Sequence, residues 1–186
     1  MGERAPLSRS SRPRTAFFGL WLILATLVLP ASALAQSAAP VVLGKSGLPV
    51  PRFVSLKASR VNVRLGPGED YAVAWVFTRT GLPIEIIQEF DTWRRVRDAD
   101  GSMGWVFHSL LSGKRTAVVA PWGTGAPRPL RARAAPESAI VAYLEPGVMA
   151  PIERCHDGWC RLSGDGFGGW MAQDQLWGVY PDEQIE

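Results

Sequence analysis

V-N-V-R-L-G-P-G, Val61 to Gly68, is a short β-branched run that stops on turn residues, and the chain writes it twice. Its second copy is L-R-A-R-A-A-P-E, from Leu130. The same landmarks recur around each copy. Gly81 stands 12 residues before Trp93, and Gly147 stands 12 before Trp159. Trp105 follows Trp93 by 12 residues, and Trp170 follows Trp159 by 11. G-W-V-F-H-S-L-L from Gly104 is answered by G-W-M-A-Q-D-Q-L from Gly169. A unit of about 60 residues is used twice, the signature of a repeated supersecondary block.

The block is made of strands. F-V-S-L, A-V-A-W-V-F, I-E-I-I, W-R-R-V and G-W-V-F are each bounded by Gly, Pro or Asp, and no amphipathic helix of useful length appears. Short strands at this density predict an all-β fold, here two small barrels in tandem, over residues 52–115 and 128–181. Residues 116–127, T-A-V-V-A-P-W-G-T-G-A-P, read as a Pro/Gly-rich linker short enough to hold the two units together. Residues 36–51 mix Ala, Pro, Gly and Ser without period and read as a second linker. Residues 182–186 read as a tail.

The first 35 residues have a different character. Arg4, Arg9, Arg12 and Arg14 precede an uncharged run, Ala16 to Leu29, which Pro30 ends before the small-residue segment A-S-A-L-A. This is the layout of a secretory signal peptide, predicting cleavage after Ala35 and a periplasmic or secreted protein. The apolar run falls short of the roughly 20 residues a membrane helix needs, so no stable anchor is expected after cleavage. Removing four arginines and one glutamate from totals of 20 Lys+Arg and 17 Asp+Glu leaves 16 of each. A mature chain with no net charge lacks the positive field that nucleic-acid binding rests on, so nucleic acid is not an expected partner. Arg94, Arg95, Arg97 and Arg128, Arg131, Arg133 read as solvated strand faces.

The two cysteines stand in C-H-D-G-W-C, Cys155 to Cys160. Asp-Gly between strand residues predicts a two-residue type I′ hairpin. His156 and Trp159 then close the turn, and Cys155 and Cys160 become the next, non-hydrogen-bonded pair, about 4.5 Å apart at Cα. That spacing accepts a disulfide, which an oxidising compartment favours. A metal site would need more ligands than His108 and His156 supply. His156 alternates to the face opposite Cys155, which disfavours a Cys–His nucleophile. The aligned positions in the first unit are Glu89 and Arg94 around Asp91-Thr92, predicting an ion pair where the second unit has the covalent bond.

No H-E-x-x-H, G-x-S-x-G or Gly-rich phosphate loop occurs, so neither catalysis nor a cofactor is expected. Glu69-Asp70 and Asp98-Asp100 sit in turn segments and read as turn formers. Eight tryptophans are present, one of them in the signal segment. Most should be core in barrels this small. Tyr71 beside the Gly-Pro-Gly loop, Trp93 and Trp159 on the face opposite Val96 and Leu162, and Trp122 in the join are the candidate ligand-binding aromatics.

V-N-V-R-L-G-P-G, a Gly before a strand, W-R-R-V and G-W-V-F-H-S-L-L together resemble the bacterial SH3-like domain family. P-L-R-A-R-A-A-P, G-W-C-R-L and G-W-M repeat the pattern in weaker form, and L-W-G-V-Y-P-D-E resembles the ending of a two-domain exported subgroup. The resemblance spans Arg52 to Pro181. The second unit departs from it at Ala134-Ala135, against Leu65-Gly66, and is three residues shorter before Gly147, which predicts a different first loop. The resemblance implies binding rather than chemistry. Expected partners are cell-wall glycan or stem peptide or, alternatively, an envelope protein such as a wall hydrolase or secretion component.

Overall fold

The computed structural model describes residues 42–186, so the expected signal peptide (1–35) and the start of the 36–51 segment lie outside the described residues. Val42–Leu43 (β1) and Pro49–Val50 (β2) pair as a small hairpin within that segment. The first lobe comprises Arg52–Leu56 (β3), Val61–Arg64 (β4), Val73–Phe77 (β5), Pro83–Phe90 (β6), Trp93–Arg97 (β7), Met103–Phe107 (β8) and Leu111–Ser112 (β9). A 3-10 turn, His108–Leu110, precedes β9. The second lobe comprises Thr116–Val119 (β10), Arg128–Arg131 (β11), Ile140–Leu144 (β12), Met149–His156 (β13), Trp159–Gly164 (β14), Phe167–Ala172 (β15) and Leu176–Trp177 (β16), with a 3-10 turn at Gln173–Gln175. The sheet orders are β5-β4-β8-β7-β6-β3-β9 and β12-β11-β15-β14-β13-β10-β16, the same path strand for strand.

Each lobe closes over its own core. Val61, Val63, Ile84, Ile86, Val96 and Val106 fill the first, and Val119, Leu130, Ile152, Leu162, Met171 and Leu176 the second. Full burial of such side chains contributes about 1.5–3 kcal/mol each, which is what holds barrels with so little helix. The repeated Gly-Trp pair follows from this packing. Gly104 faces inward against the Val63 side chain, and Gly169 against Leu130 and the Arg131 carbonyl, so a Cβ at either would collide. The tryptophan after each glycine lies on the opposite face in alternation, where Trp170 is buried beneath His156 and Arg154.

Two boundaries differ from the sequence reading. Residues 116–119 are not linker. The run T-A-V-V is β10, with Ala117 and Val119 fully buried, and takes the place in the second lobe that β3 has in the first. Residues 182–186 are not a loose tail either. Arg115 holds the Glu183 carboxylate through two hydrogen bonds of 2.7 and 3.0 Å, and Ile185 exchanges backbone hydrogen bonds with Cys155. The second half of β13 extends past β10, and Ile185 pairs with the edge left over. At the matching end of β6, the β1–β2 hairpin is tied down by Glu89, which accepts from the Ser46 N–H and hydroxyl.

The lobes belong to one compact unit and meet along a seam. Phe53, 7 % exposed, packs edge-on against Trp177 at 5.0 Å and at a tilt against Tyr180 at 4.7 Å. The Trp177 indole N–H donates to the Pro83 carbonyl, and the Tyr180 hydroxyl donates to Glu85 at 2.8 Å. Glu85 is 2 % exposed and also accepts from Arg97 Nε at 2.7 Å, so its buried charge has a partner from each lobe. Burial, together with the neighbouring Glu85 carboxylate, pushes the Tyr180 hydroxyl above its usual pKa, so it stays a donor.

The Asp157-Gly158 hairpin forms in the predicted register. Asp157 and Gly158 both take positive φ, 50° and 77°, and Cys155 faces Cys160 next to the closing His156–Trp159 pair. The disulfide is present, with the α-carbons 4.1 Å apart. Its sulfur-bearing residues lie within the second core, at 2 % and 0 % exposure. The covalent clip therefore sits inside the barrel. In the first lobe Glu89 faces Arg94 in the same register, and their ion pair measures 3.3 Å.

Candidate functional site

The loop after β4 is built around bare backbone. A side chain on Gly66 would run into the Tyr71 ring, and one on Gly68 would crowd Asp70 and the same ring. The glycines of L-G-P-G-E-D-Y thus let Tyr71 lie against the loop, and Arg64 locks the fold by donating to the Tyr71 carbonyl at 2.6 Å. Tyr71 remains 46 % exposed.

In the second lobe Arg131 makes the same bond, donating to the Ser138 carbonyl at 2.7 Å. This fixes the true correspondence: Arg64 matches Arg131 and Tyr71 matches Ser138, since each pair spans seven residues. The two loops have equal length, and the sequence alignment from Leu130 was displaced by two residues. The counterpart stretch to Gly147 is one residue shorter than that to Gly81, not three. Ser138 is buried, and its hydroxyl accepts from the Arg133 N–H where the first lobe has an aromatic ring.

Beside the first loop, the outer face of β4, β8 and β7 carries a cleft of about 210 Å³, lined by Asn62, Arg64, Glu69, Trp93, Phe107 and Leu110. The geometry explains each position. Asn62 and Arg64 alternate with the buried Val61 and Val63, and Trp93 lies directly across from Phe107 on the neighbouring strand. Their rings meet at 5.5 Å, nearly edge-on. Trp93 sits on the face opposite Val96, as alternation implies, yet it is only 8 % exposed because Phe107 covers it. It is the wall of a cleft, not an open platform. Phe90, 52 % exposed, lies at 6.5 Å from Trp105 and extends the aromatic surface.

Among the other candidates, Trp159 lines a separate cleft with Gly158, Ala172, Gln173, Asp174, Pro181 and Asp182. Trp122 is 58 % exposed in the loop after β10. The fold therefore brings Trp93 into a cleft that Glu69 of the Gly-Pro-Gly loop also lines, leaves Tyr71 outside that lining, and places Trp159 and Trp122 elsewhere. Glu69, read from sequence as a turn former, lines the cleft, and Asn62, Arg64, Phe107 and Leu110 were not named from sequence as ligand-binding residues. Strand alternation marked Asn62 and Arg64, whereas Phe107 becomes legible only through its cross-strand pairing.

The second lobe does not rebuild this cleft. In its register Pro129 replaces Asn62, Pro136 replaces Glu69, Ala172 replaces Phe107 and Gln175 replaces Leu110, while Arg131 and Trp159 are kept. Among the described residues no group of three or more His, Cys, Asp or Glu side chains is placed to hold a metal ion.

The bacterial SH3 domain family model matches residues 57–113 and 125–178, one segment in each lobe. The chain belongs to the bacterial SH3 domain family. It is 24 % identical over 142 residues to the Bacillus subtilis (strain 168) protein named "Putative N-acetylmuramoyl-L-alanine amidase YrvJ". That match covers 68 % of this chain and 27 % of the relative, so the chain spans about a quarter of that protein's length. Two solved structures from Trichomonas vaginalis also align. NlpC2 is 13 % identical with a TM-score of 0.32, over 69 % of this chain and 48 % of that one. NlpC1 is 14 % identical with a TM-score of 0.32, over 77 % and 49 %.

Proposed function

We propose that this chain is a non-catalytic, exported binding module that docks on peptidoglycan or another cell-envelope component, with the first lobe as the docking surface. The observation that carries the reading is the cleft beside the Gly-Pro-Gly loop, where an aromatic wall meets an amide, a guanidinium and a carboxylate. Convergent polar groups set against aromatic side chains in a concavity can fix the orientation of a bound group. Family membership and the name of the Bacillus subtilis relative support a cell-wall setting. The non-catalytic reading rests on the absence of catalytic motifs from the sequence. The exported reading rests on the segment before Gln36, and an intact mass corresponding to a chain starting at Gln36 in envelope fractions tests it.

Sedimentation with purified sacculi tests the function. The mature chain should pellet with sacculi, and Asn62→Ala combined with Glu69→Gln should move it to the supernatant. A wild-type protein that stays in solution at low salt refutes wall binding.

A second reading, an adaptor for an envelope protein, is favoured by one feature. β12 is an edge strand with Ile140, Val141 and Tyr143 exposed at 43, 52 and 63 %. Apolar edge strands recruit partner strands. Copurification that survives Glu69→Gln and is lost on Val141→Lys would favour it.

A further inference from the structure

The cleft on the first lobe holds two opposite charges that do not meet. Glu69 makes no ion pair among the described residues. Arg64 makes none either, and its one hydrogen bond uses Nη1 on the Tyr71 carbonyl. Among the described residues the Nε–Nη2 edge of the guanidinium has no partner, and that edge has the fork geometry that fits a carboxylate. Asn62 offers an amide donor and acceptor on the same strand, and Trp93, Phe107 and Leu110 form the apolar wall.

Size narrows the ligand. About 210 Å³ is less than the roughly 300–1,000 Å³ of sites that enclose a drug-sized molecule. The cleft takes an end group of one or two residues, not a length of glycan.

We infer that the cleft binds the zwitterionic end of a peptide, with an ammonium on Glu69, a carboxylate on Arg64, the amide to the preceding residue on Asn62, and aliphatic carbons against Trp93 and Phe107. Within the wall-binding reading, on which the inference rests, the ligand class is an unlinked stem peptide whose diamino acid keeps both ionic groups free. A stem whose diamino-acid amine is taken up in a cross-link has that amine in amide linkage and presents nothing to Glu69. The module would therefore favour wall with unlinked stems.

The second lobe sharpens the claim. Pro136 stands where Glu69 does and Pro129 where Asn62 does, so the ammonium and amide contacts have no counterpart there. Each chain carries one such site.

Titration calorimetry on the mature chain with a synthetic stem tripeptide ending in an unblocked diamino acid tests this. One site per chain is expected. N-acetylating the side-chain amine and amidating the carboxylate should each weaken binding about tenfold, the scale of one lost charge-assisted hydrogen bond. Glu69→Gln, a surface change that leaves the core untouched, should weaken the free peptide about tenfold and abolish the penalty for acetylation. Equal affinity for free and acetylated peptides, two equal sites, or displacement of the peptide by peptide-free glycan would each overturn the inference. A protein that pellets with sacculi yet ignores the tripeptide loses this inference while keeping the wall reading. One that does not pellet loses both.

Discussion

Replacing Glu89 by Gln should remove a defined share of the stability of the first lobe. The Glu89 side chain is 1 % exposed at the end of β6. Burial on its own pushes this carboxyl up. Hydrogen bonds from the Ser46 N–H at 2.8 Å, the Ser46 hydroxyl at 2.7 Å and Arg52 at 2.7 Å, with the Arg94 charge, outweigh it and hold the carboxyl at about 2 against an ordinary 4.5. A depressed carboxyl pKa contributes stability that is fully present above the unfolded value and is lost as pH falls through the folded one. The window is therefore from about pH 4.5 down to about pH 2. At about 1.4 kcal/mol per pH unit the gap amounts to roughly 3 kcal/mol. The covering hairpin is itself exposed at Val42, Leu43 and Leu48, so solvent screening reduces this to about 2 kcal/mol. Urea midpoints for wild type and Glu89→Gln, measured at steps across that window, read the effect. The variant should start about 2 kcal/mol less stable at neutral pH, and the difference should shrink as the wild-type carboxyl protonates. A constant difference across the window would refute the reasoning.

Three further outcomes follow from the same packing. Cys155 and Cys160 should be inert to thiol labelling without reductant, and Cys155→Ser should cost about 2–4 kcal/mol through the lost loop constraint and the disturbed core. Gly66→Ala should displace the Tyr71 ring and lower stability by about 1–2 kcal/mol, visible in the near-UV dichroism of the tyrosine. Phe53→Ala should empty the seam between Trp177 and Tyr180, costing about 3 kcal/mol and separating the unfolding of the two lobes in calorimetry.

Local features were legible in the sequence. The Asp157-Gly158 turn sets the cysteine register by itself, because positive φ at both centres permits few strand pairings. The Gly-Trp spacing disclosed the repeat because Gly104 and Gly169 each relieve the same inward clash. Non-local features were not legible. T-A-V-V at 116–119 is too short to announce a strand beside a Pro/Gly-rich loop, and its role comes from pairing with β13 and β16. The proline in each first loop drew the two copies into a false alignment. Their true match is carried by Arg64 and Arg131, whose partners are backbone carbonyls with no sequence signature. The burial of Trp93 depends on Phe107, 14 residues away and across a strand pair. Strand alternation therefore gave the face on which Trp93 lies but not what covers it.

The central claim, one docking cleft on the first lobe, is tested most directly by mapping amide and indole chemical shifts of the mature chain during titration with soluble peptidoglycan fragments. The shifts should concentrate at Asn62, Arg64, Glu69, Phe107 and the Trp93 indole, with Arg131 and the Trp159 indole unmoved. Perturbation centred on Trp159 or Trp122, or shared equally by the two lobes, would contradict it.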